Sequence, residues 1–223
     1  METAPWQGSL LAAAEVATFD PTCPGLVRHD LAHDAWLDHL PGWLEGADGL
    51  FDEVVDAMPW HQGTELIRGE EVLRPRLTAS VPTGELAGPL AVLRAVGACL
   101  SESYAVEFER VGVNLYRDGR DSVAWHGDRI ARDRQTATIA IVSLGQARPF
   151  RAKPAEGGAS RRFELGHGDL LVMGGTFQRT WKHAVPKVAR AGPRISVTYR
   201  DADPSTNGPG ICPNTVNRSY IPT

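Results

Sequence analysis

The stretch Asn114-Leu-Tyr-Arg-Asp-Gly-Arg-Asp-Ser-Val-Ala-Trp-His-Gly-Asp128 decides how this chain is read. Its first residues end an apolar run that reads as a strand over 106–116, and Asp118-Gly119 is a turn signal. It closes on His126 and Asp128, two positions apart; His183 follows fifty-five positions later, then Arg194 and Arg200. Two imidazoles and one carboxylate can occupy one face of an octahedral iron(II) and leave the other face open, as in non-haem iron oxygenases. Arg194 and Arg200 are six apart on a predicted strand. Both therefore point to one face, with Ser196 and Thr198 between them. A guanidinium in that place can grip a carboxylate with two charge-assisted hydrogen bonds. His-x-Asp alone is a weak signal in a chain with seven histidines. On spacing alone, a structural hydrogen bond between His126 and Asp128 is as good a reading as metal binding.

Working outward, short strands are predicted over 136–144, 148–153, 161–165, 169–173, 180–184 and 195–200, punctuated by Gly157-Gly158, Gly166-His-Gly168 and Gly174-Gly175. Many short strands with glycine-rich turns favour a sandwich or jelly roll. Upstream, Leu50, Phe51, Val54, Val55 and Met58 recur at helical spacing and predict a helix near 47–58, with Asp48 as its N-cap and Pro59 beyond its end. Leu90, Leu93, Val96, Gly97 and Leu100 predict a second helix after Pro89, packed on the outside of a sheet. His29 and His33 would share a helix face, but no further ligand is near and they are read as surface residues. Trp125 and Trp181 precede the two histidines, and strand alternation points them away from the ligand face.

The chain has 223 residues, enough for one full domain. Its three cysteines, Cys23, Cys99 and Cys212, are odd in number and far apart, which argues against a disulfide framework. Neither a signal peptide nor a span of about 18 apolar residues is visible, so an intracellular, cytoplasmic protein away from membranes is expected. The net charge of -4 conceals an asymmetry: residues 1–116 hold 18 acidic and 6 basic side chains, residues 117–200 hold 7 and 16. The basic part contains the candidate site, and Arg129, Arg132, Arg134, Arg148, Arg151, Lys153, Arg161, Arg162 and Arg179 are candidate phosphate contacts. Pairing with the acidic half across a solvated surface is the alternative, less favoured explanation of the same charges.

The run from Asn114 to Asp128 resembles the metal-binding core of the AlkB family of 2-oxoglutarate- and iron(II)-dependent dioxygenases. The resemblance continues in order through Ser143-Leu-Gly145, Arg148-Pro-Phe150, His167-Gly-Asp169, Trp181-Lys-His183-Ala-Val-Pro186 and Pro193-Arg-Ile-Ser-Val-Thr-Tyr-Arg200. Upstream, Pro59-Trp-His-Gln62 and Arg74-Pro-Arg-Leu-Thr78 resemble the segment before the core in the nucleic-acid-repair members. The resemblance implies an α+β, mainly β fold: a double-stranded β-helix (jelly-roll) core over about 106–200 with N-terminal helices outside. One domain over 26–200 would lie between a loose segment, 1–25, and a tail, 201–223.

It also implies iron ligation by His126, Asp128 and His183, and a 2-oxoglutarate cradle of Asn114, Tyr116, Arg194, Ser196 and Arg200, with dioxygen as the further co-substrate. Ser196 stands where the family commonly has asparagine, and Ile130 where several repair members have an acidic residue that helps read the base. The activity implied is oxidative demethylation of bases such as 1-methyladenine and 3-methylcytosine in DNA or RNA, with release of formaldehyde, succinate and carbon dioxide, by a monomer. The iron histidines would bind as neutral imidazoles, so activity should fall in acid. Reaching the base requires a single strand or base flipping. Trp60 is the candidate lid aromatic, facing a cationic base through a cation-π contact; Arg74, Arg76, Arg129, Arg148 and Arg151 are the candidate strand contacts. Trp60 could equally be a core anchor. Two other readings stay open: the same chemistry on a small molecule or protein side chain, and a non-catalytic β-sandwich binding module with structural histidines.

Overall fold

Alternation of side chains through the C-terminal half builds two facing antiparallel sheets. The computed structural model describes residues 16–67, 69–128 and 134–200. Its N-terminal part contains β1 (Thr18–Phe19), β2 (Val27–Asp30), β3 (Ala35–Leu40), β4 (Leu44–Glu45), helix α1 (Asp48–Ala57), β5 (Thr64–Ile67), β6 (Glu70–Leu73), β7 (Leu77–Pro82) and helix α2 (Ala91–Tyr104). The rest runs β8 (Arg110–Tyr116), β9 (Val123–His126), β10 (Ile139–Gly145), β11 (Arg148–Pro154), β12 (Arg161–Leu165), β13 (Leu170–Gly175), a short α3 (Phe177–Thr180), β14 (Trp181–Val185) and β15 (Arg194–Arg200).

One sheet has seven strands in the order β2-β3-β13-β10-β15-β8-β7; the other has four, β12-β11-β14-β9. From β8 onward the chain passes repeatedly between them, with β9, β11, β12 and β14 in the small sheet and β10, β13 and β15 in the large one. The large sheet is covered on both faces. On its outer face Val142, Leu144, Val172, Ile195, Val197 and Tyr199 pack with Leu50, Phe51 and Val54 of α1 and Leu93, Val96 and Leu100 of α2. On its inner face Ile139, Ile141, Leu171 and Met173 meet Phe150, Ala152, Phe177, Trp181 and Val185 from the other side. Trp181 thus shares the inward face with His183, two residues on, and does not turn away from it as expected; Trp125, adjacent to His126, does. Double coverage explains why Ile139-Ala-Ile-Val-Ser-Leu-Gly145 is an almost unbroken apolar run with every residue buried. Each large aliphatic side chain sequestered this way stabilises the fold by about 1.5–3 kcal/mol.

Both predicted helices are present. The first is preceded by Ala47 rather than capped by Asp48, which is its first residue. There the carboxylate still complements the positive helix end. The N-terminal part is more ordered than its composition suggests: β1 pairs with β4, the Trp43 indole donates to Asp20 O at 2.8 Å, and the Phe19 and Trp43 rings lie 4.8 Å apart. β2 and β3 extend the large sheet from β13, an addition the sequence reading did not contain. His29 lies on β2 and His33 in a turn with φ 66°, so they share no helix face. The predicted tail after 201 lies outside the described residues.

Candidate metal centre and anion cradle

The inner face of the large sheet changes character at β8 and β15. Register pairs Arg194 with Tyr116, Ser196 with Asn114 and Thr198 with Gly112, which places these side chains on one face. That is the face carrying Ile139 and Ile141, turned toward the small sheet. Across the gap, β14 pairs with β9 so that His183 is directly opposite His126. Their ring centroids are 4.2 Å apart, and His183 Nε2 is 3.8 Å from Asp128 Oδ2. One ligand atom from each of His126, Asp128 and His183 lies within 4.8 Å of the others, the group among the described residues that could hold a metal ion.

Each ligand is prepared for a cation. His126 Nδ1 is 2.9 Å from the Ala124 carbonyl, which fixes the proton there and leaves Nε2 as the donor to metal. Burial, reinforced by His126, pushes the pKa of His183 down to about 3, so its ring is neutral with a lone pair available. Burial opposes ionisation of Asp128, but Arg200, His183 and His126 prevail and hold its carboxyl below the ordinary carboxylate range. Arg200 Nη2 reaches Asp128 Oδ1 at 3.4 Å. Gly112 makes room for it, since a Cβ there would lie 2.8 Å from Arg200 Nη1.

Behind the triad, Arg194 is 1 % exposed. Its Nε donates to Ser143 Oγ at 2.9 Å, its guanidinium lies 5.3 Å from the Tyr116 ring, and its Nη1 has no hydrogen-bond partner. Burial works against its charge, and Arg148 adds to the shift. A buried cation with an idle donor is a high-energy arrangement that an incoming carboxylate relieves. Burial also raises the Tyr116 phenol, against the pull of Arg194, Arg76 and Arg148, so it remains a hydroxyl donor. Asn114 accepts from Arg76 Nε at 3.0 Å through Oδ1, which leaves its amide NH2 as the group offered to the cavity.

The strand-contact candidates separate. Arg148 is buried, and it donates to the carbonyls of Asp118, Asp121 and Pro186 at 2.8–3.0 Å. It ties two loops together and is corrected from phosphate contact to structural residue. Arg76 is turned inward onto Asn114 and the Ser122 carbonyl. Trp60 donates from its indole to Val55 O at 2.8 Å and packs on the helix-side core, the anchor reading. Arg74 is half-buried beside Gly63 at the base of the β5–β6 hairpin. Arg151 is exposed on β11 between inward-facing Phe150 and Ala152, so it lies on the outer face of the small sheet. Ser196 is buried beside Thr198, with 3.3 Å between hydroxyls. Arg129, Ile130 and Arg132 lie outside the described residues.

Two residues of the site were given no role in the sequence reading. Gln178 on α3 accepts the Asp128 N–H at 3.0 Å through Oε1, while its Nε2 donates to Met173 Sδ at 3.7 Å. The Gln178 carbonyl also presses on Gly127, where a Cβ would lie 2.5 Å away. No periodicity in Thr176-Phe-Gln-Arg-Thr180 announces this. Ser143, by contrast, was visible as a lone hydroxyl inside an apolar run, a place that demands a polar partner.

Two imidazoles and a carboxylate satisfy half of an octahedral ion and leave adjacent positions for a second, chelating ligand, which defines the mononuclear iron oxygenase class. Residues 85–200 match the family model described as the 2OG-Fe(II) oxygenase superfamily. The human alpha-ketoglutarate-dependent dioxygenase alkB homolog 3 is 31% identical over 192 residues, covering 75% of this chain and 66% of that protein. The DNA oxidative demethylase ALKBH2 of Arabidopsis thaliana is 31% identical over 215 residues, covering 77% of this chain and 68% of that one. In fold, an oxidoreductase of the 2OG-Fe(II) oxygenase family from Burkholderia pseudomallei superposes with TM-score 0.54 at 17% identity, covering 74% and 84% of the two chains. A Pseudomonas putida prolyl-4-hydroxylase does so with TM-score 0.52 at 19% identity, covering 75% and 92%. The chain belongs to the 2OG-Fe(II) oxygenase superfamily and, within it, to the AlkB-type proteins. Among the described residues no helix is long and apolar enough to cross a membrane.

Proposed function

We propose that this protein is an iron(II)- and 2-oxoglutarate-dependent dioxygenase that removes methyl groups from N-alkylated bases in nucleic acid, and that its two facing sheets form a double-stranded β-helix within a single domain that takes in β1 as well as the expected 26–200. The observation that carries the reading is Arg194: a buried guanidinium with an idle Nη1, on the same inner face as the triad. A non-catalytic module has no use for such a group, whereas a dicarboxylate bridging metal and arginine satisfies both. The names of the relatives, a dioxygenase and a DNA oxidative demethylase, support the choice of nucleic acid as substrate.

His126, Asp128 and His183 would hold the iron; Arg194, with Tyr116 and the Asn114 amide, would hold 2-oxoglutarate. Iron, 2-oxoglutarate and dioxygen, when bound, would supply the oxidation of an N-methyl carbon, with the methyl group released as formaldehyde and 2-oxoglutarate converted to succinate and carbon dioxide. The chain's own residues supply placement. Arg194 and Tyr116 would donate to a carboxylate of 2-oxoglutarate, Asn114, held by Arg76, would donate from its amide, and the apolar wall of Phe150, Phe177 and Ile141 would exclude water. Arg200 keeps Asp128 ionised and acceptor-only.

Formaldehyde and succinate release from an oligonucleotide carrying 1-methyladenine or 3-methylcytosine tests this, with Arg194→Ala as control. Both products from the wild type, and neither from the variant, are expected. Succinate without formaldehyde would redirect the chemistry to a small molecule or protein side chain. Absence of both products from the iron-loaded wild type would contradict the proposal.

A further inference from the structure

The outer face of the four-stranded sheet carries cations where sheet chemistry disfavours them. Arg151 of β11 is directly opposite Arg162 of β12, and Lys153 of β11 is directly opposite Lys182 of β14. Like charges in directly opposed positions destabilise a sheet. Glu164 relieves one of the pairs, accepting from Arg162 Nη2 at 2.7 Å. At the other, Lys153 Nζ lies 4.5 Å above the ring of Trp125, the exposed aromatic that precedes His126 on β9. This offsets some repulsion but leaves Lys182 without an acidic partner among the described residues. Exposed tryptophan beside cations, on a surface that gives up stability to keep them, has the composition of a single-strand platform: an aromatic plane for a base and ammonium groups for phosphates.

We infer that Lys153, Lys182 and Arg151, with Trp125, form a docking surface for single-stranded DNA flanking the nucleotide that enters the cavity. Position supports this as well as charge. β9 is the edge strand of the small sheet, so among the described strands it is the one that separates this face from the interior. Trp125 and His126 are successive residues on it, one turned outward and one inward. The inference rests on the proposed activity, since it names where the polymer beyond the reacting base is held.

The test is the salt dependence of binding of an unmodified 20-nucleotide single-stranded DNA, followed by fluorescence anisotropy, for wild type, Lys153→Gln/Lys182→Gln, Lys182→Gln and Trp125→Ala. For single strands each phosphate contact contributes about 0.7 to the slope of log affinity against log salt. The double variant should therefore lose about 1.4 of slope, and Lys182→Gln about half of that. Trp125→Ala should weaken binding with little change in slope. Thermal midpoints of the lysine variants should hold or rise, because a repulsive pair has been removed, which a merely structural role for these lysines does not predict. Wild-type slope and affinity in the double variant, or tighter binding of the same sequence as RNA with the variants affecting only RNA, would overturn the assignment. A wild type that binds neither strand would instead count against the nucleic-acid activity itself.

Discussion

The two faces of β15 are built to opposite rules. Ile195, Val197 and Tyr199 enter the layer shared with the helices, where even the Tyr199 hydroxyl is satisfied by Leu93 O at 2.8 Å. Arg194, Ser196, Thr198 and Arg200, alternating with them, enter the space between the sheets, where Arg194 Nη1 remains without a partner and, across the gap, ligand atoms of His126, Asp128 and His183 converge within 4.8 Å. One face closes its own hydrogen bonds and holds the fold together. The other is left incomplete, at positions where a metal ion and an anion complete it. A single strand can serve both purposes because its side-chain period is two.

Substitutions on the two faces should therefore fail differently. The largest effect is His183→Ala, which removes a ligand: metal affinity, measured by cobalt(II) titration, should fall by more than about 100-fold and turnover should reach background. The thermal midpoint of the metal-free protein should change far less than for a helix-side substitution; an equal loss would erase the distinction between the faces. Leu93→Ala, on α2 at 0 % exposure, should cost about 2–5 kcal/mol in denaturant unfolding while metal affinity of the folded protein is retained. Gln178→Met sharpens the comparison further, since it keeps the volume and removes the acceptor of the Asp128 N–H. Metal affinity should drop by about 10-fold or more, whereas Gln178→Glu, which restores an acceptor, should retain it. A pure packing role predicts the reverse order for these two variants.

The smallest effect concerns pH, at the rim where α1 meets the large sheet. His167 Nδ1 accepts from Gly145 N at 2.9 Å, and burial lowers its pKa below 6.5 despite Asp48 and Asp169. Asp169 accepts from Gly42 and Gly166 at 2.9 and 2.7 Å. Burial opposes its ionisation, but His39 and these amides hold it below 3.8. Both folded values lie below the unfolded ones, so in acid the unfolded chain binds more protons and stability rises with pH. The denaturation midpoint of the metal-free protein should be flat above pH 7, decline as pH falls below about 6.5 through His183 and His167, and decline again below about 4 through Asp128 and Asp169. His167→Gln should make the decline between pH 7 and 5 shallower, and an unchanged decline would remove His167 from the account.

Much of this was legible in the sequence. Strands over 161–165 and 195–200 and both helices follow from periodicity, and the triad and Arg194 follow from spacing and resemblance. The illegible parts depended on distant partners. β2 and β3 are short and partly polar, and become strands because β13 offers a free edge. Trp60 gave no sign of whether it faced solvent or core until α1 supplied the Val55 carbonyl. Arg148 looked like a phosphate contact because its charge is visible in sequence, while the three backbone carbonyls that occupy it come from loops 27 to 38 residues away. Charge can be counted along a chain, but its destination is decided by packing.

The central claim is that the inner face of β15 is completed by a ligand, and binding of 2-oxoglutarate to iron(II)-loaded protein without oxygen, measured by calorimetry, tests it most directly. The wild type should bind one equivalent. Arg194→Ala, losing two charge-assisted hydrogen bonds of about 1.5–3 kcal/mol each, should bind at least about 100-fold more weakly. Equal affinity in the two proteins would contradict the account.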